Sequence, residues 1–129
     1  MLPKKHRLPG KVLIQRLFQR GKSAYSGNIS FRYIENRLSV SRFSLVAGKR
    51  LFPRAVDRNR VKRLLREALR LHLPSVRPGY DGVFFYTRKP VDAVRFEQVS
   101  RDVLAILQRS RLLLDKRMSE ESLPSSGTE

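Results

Sequence analysis

The most concentrated chemical groups in the chain are guanidinium side chains in the segment 58–70. On a helix of about 100° per residue, the polar and apolar residues of this segment separate onto opposite faces. The polar face carries Asn59, Arg63, Arg66 and Arg70, with Arg60 and Lys62 beside them. A guanidinium binds phosphate through two parallel hydrogen bonds, and a helix rises about 5–6 Å per turn, which is close to the spacing of phosphates along a strand. The pattern therefore predicts a helix face that binds a polyanion.

An aliphatic stripe on the opposite face predicts how this helix is held. The stripe consists of Val61, Leu64, Leu65, Ala68 and Leu69. We expect it to pack on a core, and we expect the helix to run over about 55–73 until Pro74 stops it. Asp57 is expected to cap the helix start, and His72 to pack on the apolar face. The alternative for the polar face is a solvated surface, but stacked like charges repel and a polyanion would relieve that repulsion.

The overall charge indicates the same kind of partner. The chain has 129 residues, with 28 Lys and Arg against 11 Asp and Glu, and a formal net charge of +17. Most of the basic residues are arginines, which bind phosphate and stack on bases. This composition favours nucleic acid without separating RNA from DNA, and an anionic membrane surface stays an alternative. No apolar run is long enough to span a bilayer and no secretory signal is apparent, so we expect a cytoplasmic protein.

Groups that would let the protein itself catalyse a reaction are scattered. The sequence contains no cysteine, which excludes disulfides, cysteine-based zinc sites and cysteine nucleophiles. Its carboxylates show no metal-ligand spacing, and the two histidines, His6 and His72, have no partner pattern. No glycine-rich phosphate loop occurs. We therefore expect neither a catalytic residue nor a metal ion held by the protein.

The hydrophobic pattern predicts a single α+β domain over residues 1–114. We expect an α-β sandwich with the element order α-β-β-β-α-β-α and a sheet of about four strands. Helices are predicted over 11–20, 55–73 and 94–113. Strands are predicted over 29–34, 38–47 and 83–86, with a bulge or a break of the second near residues 41–42 and a tight turn at 35–37 before it. Residues 1–10 are expected to form an extended basic arm, and residues 115–129 a disordered tail.

The segment from Arg58 to Glu67 resembles the signature helix of the protein subunit of bacterial ribonuclease P, whose pattern is RNR-x-KR-x-x-RE. Weaker similarities flank it at positions 5–8, 18, 21–23, 45, 49–50, 55–56, 80–81 and 88–89. Together they cover roughly residues 4–110. Ile14 is a departure, because the family often has an aromatic residue at that position.

This resemblance implies a compact sandwich with a left-handed βαβ crossover. It implies that the partners are a catalytic RNA and precursor tRNA, with neither a membrane nor DNA involved. The holoenzyme of this family removes the 5′ leader hydrolytically, and the RNA performs the chemistry with Mg²⁺. The residues implied to bind the RNA subunit are Arg58, Asn59, Arg60, Lys62, Arg63, Arg66 and Arg70.

The resemblance also implies a cleft between the sheet and the first helix that contacts the leader. There we expect Phe18, Phe31 and Tyr33 to stack on unpaired bases, with core packing as the alternative for the two phenylalanines. Phosphate contacts near the cleft are expected from Lys49, Arg50, Arg88 and Lys89. The run Phe84, Phe85 and Tyr86 is expected to belong mainly to the core.

Three other functions compete with this interpretation. A ribosomal or other structural RNA-binding protein would fit the charge and size equally well. A helix-turn-helix DNA reader would need a short helix and turn before residue 58, where a strand pattern occurs instead. A basic helix lying on a membrane surface would need its apolar face free, but the core requires that face.

Overall fold

The computed structural model describes residues 2–114, which form three helices and four strands. The helices are α1 (Lys11–Arg20), α2 (Ala55–His72) and α3 (Phe96–Arg109), and the strands are β1 (Lys22–Ser26), β2 (Ile29–Glu35), β3 (Arg42–Val46) and β4 (Tyr80–Tyr86). Single 3₁₀ turns occur at Lys4–His6 and Leu73–Ser75. The α+β class and the element order are confirmed. The tail predicted over 115–129 lies outside the described residues.

The four strands form one mixed sheet in the order β1-β2-β4-β3. β1 and β2 form a hairpin around Gly27, and β2 pairs antiparallel with β4. β3 pairs parallel with β4, and α2 makes the crossover between them. β4 is therefore an interior strand, which agrees with its nearly complete burial.

Two strand predictions were wrong in detail. The sequence pattern missed β1, whose short polar run Lys22–Ser26 shows little hydrophobic alternation because it lies at the sheet edge. Only residues 42–46 of the segment predicted over 38–47 form a strand. The preceding residues form a turn closed by Asn36, whose side chain accepts from the Leu38 N–H (2.7 Å) and donates to the Val40 carbonyl (3.1 Å). Residues 35–37 are not a hairpin turn, because β4 lies between β2 and β3.

The face of the sheet beneath α2 and α3 carries most of the core. Alternate residues of β2, β3 and β4 place Phe31, Phe43 and Phe84 there, and each is almost completely buried. The Phe31 and Phe84 rings stack with centroids 4.3 Å apart. Gly82 makes room for this pair, because a Cβ atom at that position would overlap the Phe31 ring.

The opposite face is covered by α1 and part of the N-terminal arm, and its core is thin. The side chains buried there are Leu8, Leu17 and Val83. The predicted arm contributes to this layer instead of extending freely. Leu8 N–H donates to the Phe43 carbonyl (2.9 Å), so the arm runs beside the exposed edge of β3.

A polar junction fixes the starts of β3 and β4. Asp81 accepts two hydrogen bonds from Arg42, at 2.9 and 2.8 Å, and one from the Asn36 amide at 2.8 Å. Asp81 is buried, so this bidentate pairing compensates for the desolvation of its carboxylate. The same contact raises the pKa of Arg42, chiefly through the hydrogen bond to Asp81.

The last helix ends earlier than the predicted 94–113 because of a specific stop signal. Leu112 N–H bonds to the Leu107 carbonyl (3.0 Å) and Arg111 N–H to the Gln108 carbonyl (3.1 Å), which is the Schellman arrangement. This arrangement requires a left-handed residue at Arg111, whose φ is 61°. The hydroxyl of Ser110 donates back to the Ile106 carbonyl and completes the stop.

Candidate nucleic-acid interface

Helix α2 has the two faces that its sequence predicts. Its aliphatic stripe is buried against the sheet and α3. Asn59, Arg60, Arg63 and Arg70 are exposed on the other side, and Lys62 and Arg66 are half-buried beside them. His72 is half-buried, with its Nε2 atom 3.4 Å from the Ser100 hydroxyl of α3. The helix is preceded by β3 and a loop, so the residues before it do not supply the first helix of a helix-turn-helix motif.

Arg58 differs from the other arginines of this helix. Its Nη1 atom donates to the carbonyls of Phe52 (3.0 Å) and Pro53 (2.8 Å), so its side chain braces the loop that leads into α2. Asp57 does not cap the helix as expected, because the N-cap residue is Arg54 and no side chain bonds to the free N–H groups. Instead, Asp57 forms an ion pair with Arg54 at 3.2 Å. Its negative charge in the first turn still interacts favourably with the positive end of the helix dipole.

The remaining cations of α2 are available to an external partner. The two ion pairs found within residues 2–114 are Arg42–Asp81 and Arg54–Asp57. Within that range the cations of α2 without a protein acceptor are Arg60, Lys62, Arg63, Arg66 and Arg70. Their mutual repulsion is unfavourable unless anions approach, so this face is suited to a phosphate backbone.

A second candidate surface lies on the α1 side of the sheet. Phe18 of α1 is 40% exposed and contacts Phe85 edge to face, with ring centroids 5.0 Å apart. Phe85 is half-buried, although its sequence run suggested a core residue. Strand alternation could have found it, because successive residues of β4 point to opposite faces and Phe84 already occupies the core. The pair offers aromatic surface to an unpaired base.

Two residues predicted for this cleft lie elsewhere. Phe31 is 0% exposed and packs on the α2 and α3 side, so the hypothesis that it stacks on a base is wrong. Tyr33 lies on that same face and stacks on Phe31 with ring centroids 5.3 Å apart. It therefore does not line the predicted cleft between the sheet and α1, which we call the α1 cleft. Both residues belong to one face because β2 places every second side chain there.

The four cations predicted near the cleft are exposed at one end of the sheet. Lys49 and Arg50 follow β3, and Arg88 and Lys89 follow β4. Because β3 and β4 are parallel, their carboxyl ends lie at the same edge, where Val46 pairs with Phe85. These basic groups therefore lie beyond the same end of the sheet as Phe85.

Tyr86 lies below the start of α2 on the core side. Burial raises the pKa of Tyr86 to about 12; Asp102 also raises it, and Arg60 opposes the shift. Its ring packs edge to face on Phe52, with centroids 5.3 Å apart. This contact joins the core to the loop that Arg58 braces.

The structure of residues 2–114 shows neither a metal-ligand cluster nor a membrane-spanning helix. This part of the chain contains no group of three His, Asp or Glu side chains placed to hold a metal ion. None of its helices is both long enough and apolar enough to cross a membrane.

Fold and surface together define a class of protein: a small, strongly basic α-β sandwich with exposed arginines along one helix. A sequence profile of the family Ribonuclease P matches residues 2–111. The chain belongs to the ribonuclease P protein family.

Relatives and solved structures agree with this assignment. The chain is 35% identical over 108 residues to the "Ribonuclease P protein component" of Roseiflexus sp. (strain RS-1), covering 84% of this chain and 88% of that protein. It is also 35% identical over 97 residues to the component of Pelotomaculum thermopropionicum, covering 75% and 85%. The RNase P protein from Thermotoga maritima is similar in structure, with a TM-score of 0.72 and 27% identity over 80% of this chain and 96% of that one. A Staphylococcus aureus RNase P protein, at 21% identity and a TM-score of 0.74, shares the fold over 84% and 97%.

Proposed function

We propose that the chain acts as the protein subunit of ribonuclease P in the bacterial cytoplasm. In this proposal it associates with an RNA subunit and assists removal of the 5′ leader from precursor tRNA. The RNA subunit, with Mg²⁺ bound to it, supplies the chemistry, and the protein's side chains bind and position. The observation that carries the proposal is the unpaired cationic face of α2 in a chain of this family.

Helix α2 is the surface that we assign to binding of the RNA subunit. Arg60, Arg63 and Arg70 are exposed, and the buried stripe of the same helix holds their backbone rigidly against the core. A rigid helix lets several guanidinium groups meet successive phosphates with little loss of entropy. Arg58 acts differently: it positions the helix start by binding loop carbonyls.

The α1 cleft is the surface that we assign to binding of the 5′ leader. Phe18 and Phe85 would stack on unpaired bases, and the basic residues that follow β3 and β4 would contact phosphates. Those basic residues are Lys49, Arg50, Arg88 and Lys89. Stacking tolerates every base, which suits a leader whose sequence differs among precursors.

The role of α2 is tested with the variant Arg60→Ala/Arg63→Ala. Each lost contact should weaken binding to a bacterial ribonuclease P RNA about tenfold or more, because a charge-assisted hydrogen bond contributes about 1.5–3 kcal/mol. The slope of log K against log salt concentration should become less steep by about two, because two phosphate contacts are lost. The matched control is Arg95→Ala/Arg101→Ala, which removes the same charge from exposed residues near or on α3. Equal effects of the two variants would contradict a specific role for α2.

A structural RNA-binding protein without an enzyme role is the second candidate, favoured by the charge alone. Reconstitution separates the two. The protein is mixed with ribonuclease P RNA and precursor tRNA at low Mg²⁺, and 5′ cleavage is measured. Cleavage that needs both components supports the proposal, whereas tight RNA binding without stimulation supports the alternative. Cleavage by the protein alone would contradict the assignment of chemistry to the RNA.

A further inference from the structure

A second cationic site lies away from both surfaces assigned above. At the edge of the sheet where β1 begins and β2 ends, a cavity of about 670 Å³ opens between the carboxyl ends of α1 and α3. Its volume lies within the range of about 300–1,000 Å³ typical of small-ligand sites. We call it the tyrosine–arginine pocket. Its lining includes Tyr33, Tyr80 and five cations: Arg20, Lys22, Arg77, Arg109 and Arg111.

The charge of this pocket is strongly unbalanced. The carboxylate among its lining residues is Glu35, which forms no ion pair within residues 2–114. Arg20 and Arg109 end helices, where a positive charge complements the helix dipole. The helix dipole does not explain Lys22, Arg77 or Arg111, which lie outside the last helical turns, although Arg77 Nε also donates to the Leu113 carbonyl (3.4 Å). Their convergence indicates an anionic ligand.

Arg111, which lines the pocket, occupies a strained backbone position. Its φ of 61° lies in the left-handed region, which costs a residue with a Cβ atom roughly 1–2 kcal/mol. The position is the one at which helices of this kind usually carry glycine. The exposed side chain of Arg111 lines the cationic cavity and is available to an anion there.

The two tyrosines supply the other half of the site. Tyr33 and Tyr80 are half-buried, and their rings lie 6.5 Å apart in an edge-to-face arrangement. Phe31 stacks behind Tyr33 and fixes its ring. Aromatic rings beside arginines are the usual means by which proteins hold unpaired nucleotides.

We propose that the tyrosine–arginine pocket binds an unpaired nucleotide of RNA. The base packs on Tyr33 and Tyr80, and the flanking phosphates contact Arg77, Arg111 and Lys22. This contact is separate from the cationic face of α2 and from the α1 cleft. The inference rests on the proposed function only in that the RNA belongs to the ribonuclease P complex, as the RNA subunit or as precursor tRNA.

The test compares two glycine substitutions at matched positions. Arg111→Gly removes one charge and relieves the left-handed strain, so its melting temperature should stay within a few degrees of the parent or rise. Arg37→Gly removes the same charge at another exposed left-handed arginine (φ 60°), which does not line the pocket. Any general effect of net charge is therefore the same in both variants.

Binding is measured in two arms with the full chain. One arm titrates a bacterial ribonuclease P RNA, and the other titrates precursor tRNA into the assembled holoenzyme. We expect Arg111→Gly to weaken one arm about threefold to tenfold and to lower its salt slope by about one, with Arg37→Gly close to the parent. The affected arm identifies which RNA supplies the nucleotide. Equal affinities of the two variants in both arms would overturn the proposal.

The variant Arg60→Ala/Arg63→Ala is measured in the same assays to separate this proposal from the assignment of α2. If it weakens RNA binding while Arg111→Gly does not, the pocket proposal fails and the proposed function stands. If the α2 variant also binds like the parent, the proposed role of α2 fails as well.

Discussion

The two faces of the sheet differ in what they bury. The face under α2 and α3 holds stacked aromatic rings, including the nearly inaccessible Phe31, Phe43 and Phe84. The face under α1 buries Leu8, Leu17 and Val83 and leaves Phe18 exposed. The first face maintains the fold, while the second keeps part of its aromatic surface accessible. Phenylalanines of the same chemistry thus have opposite roles because of the face on which they lie.

The largest expected effect tests the buried face. Phe31→Ala should lower the free energy of unfolding by about 3–5 kcal/mol, because it removes a completely buried ring and leaves a cavity. Phe18→Ala should lower it by less than about 1 kcal/mol, because that ring is 40% exposed. Urea denaturation of both variants measures the difference. If Phe31→Ala does not fold, the milder Phe31→Leu should still destabilise more than Phe18→Leu. Similar losses in each pair would contradict the contrast between the faces.

An intermediate effect tests the accessible face. Phe18→Ala should weaken precursor tRNA binding to the holoenzyme by about 1–3 kcal/mol, since one stacked base contributes that much. Mature tRNA, which lacks the leader, should bind as before. The ratio of the two affinities is the readout, and Val12→Ala is the control because it truncates another exposed apolar residue of α1. An unchanged ratio for Phe18→Ala would contradict the proposal that the leader binds in this cleft.

The smallest effect tests how well the buried face excludes solvent from Tyr86. The pKa of Tyr86 is raised from 10.0 to about 12, mainly by burial. Well below pH 10.0 the tyrosine is protonated in both states, so it adds no pH dependence there. Between pH 10.0 and about 12 the unfolded chain releases this proton and the folded chain keeps it, so stability falls as pH rises.

The variant Tyr86→Phe should show a shallower loss of stability over the same pH range. Denaturation at several pH values measures it, and absorbance should show one tyrosine of the parent titrating late. Every other ionisable group is common to both proteins, so its contribution cancels in the comparison. Parallel pH curves for the two proteins would mean that the Tyr86 hydroxyl is well solvated.

The sequence predicted those features that depend on local periodicity. The helix over 11–20 and the two faces of α2 agree with the structure because 3.6-residue spacing separates apolar from polar residues clearly. β1 was missed because an edge strand needs little hydrophobic surface. The role of residues 35–37 was misjudged because the position of β4 between β2 and β3 depends on a pairing between distant parts of the chain.

The site residues divide in the same way. The exposed arginines of α2 follow from the helical wheel alone. The locations of Phe31 and Tyr33 required knowledge of which face α1 covers, which no local pattern contains. In the sequence, Arg58 is one of several arginines of the same basic motif, and nothing there distinguishes it from the others. Its hydrogen bonds to the loop carbonyls become visible only in the structure. The tyrosine–arginine pocket combines residues from four separate segments of the sequence, so it has no sequence motif.

The interior position of β4 has a consequence for synthesis of the chain on the ribosome. β3 pairs with β4, which is translated only after the whole of α2 has been made. Until residue 86 has emerged, β2 also lacks its inner neighbour and the aliphatic stripe of α2 has no completed sheet to cover. The contacts that complete the sheet are long-range, so their loop-closure entropy slows folding. The nascent chain therefore exposes its most basic helix as an amphipathic segment before the domain can close.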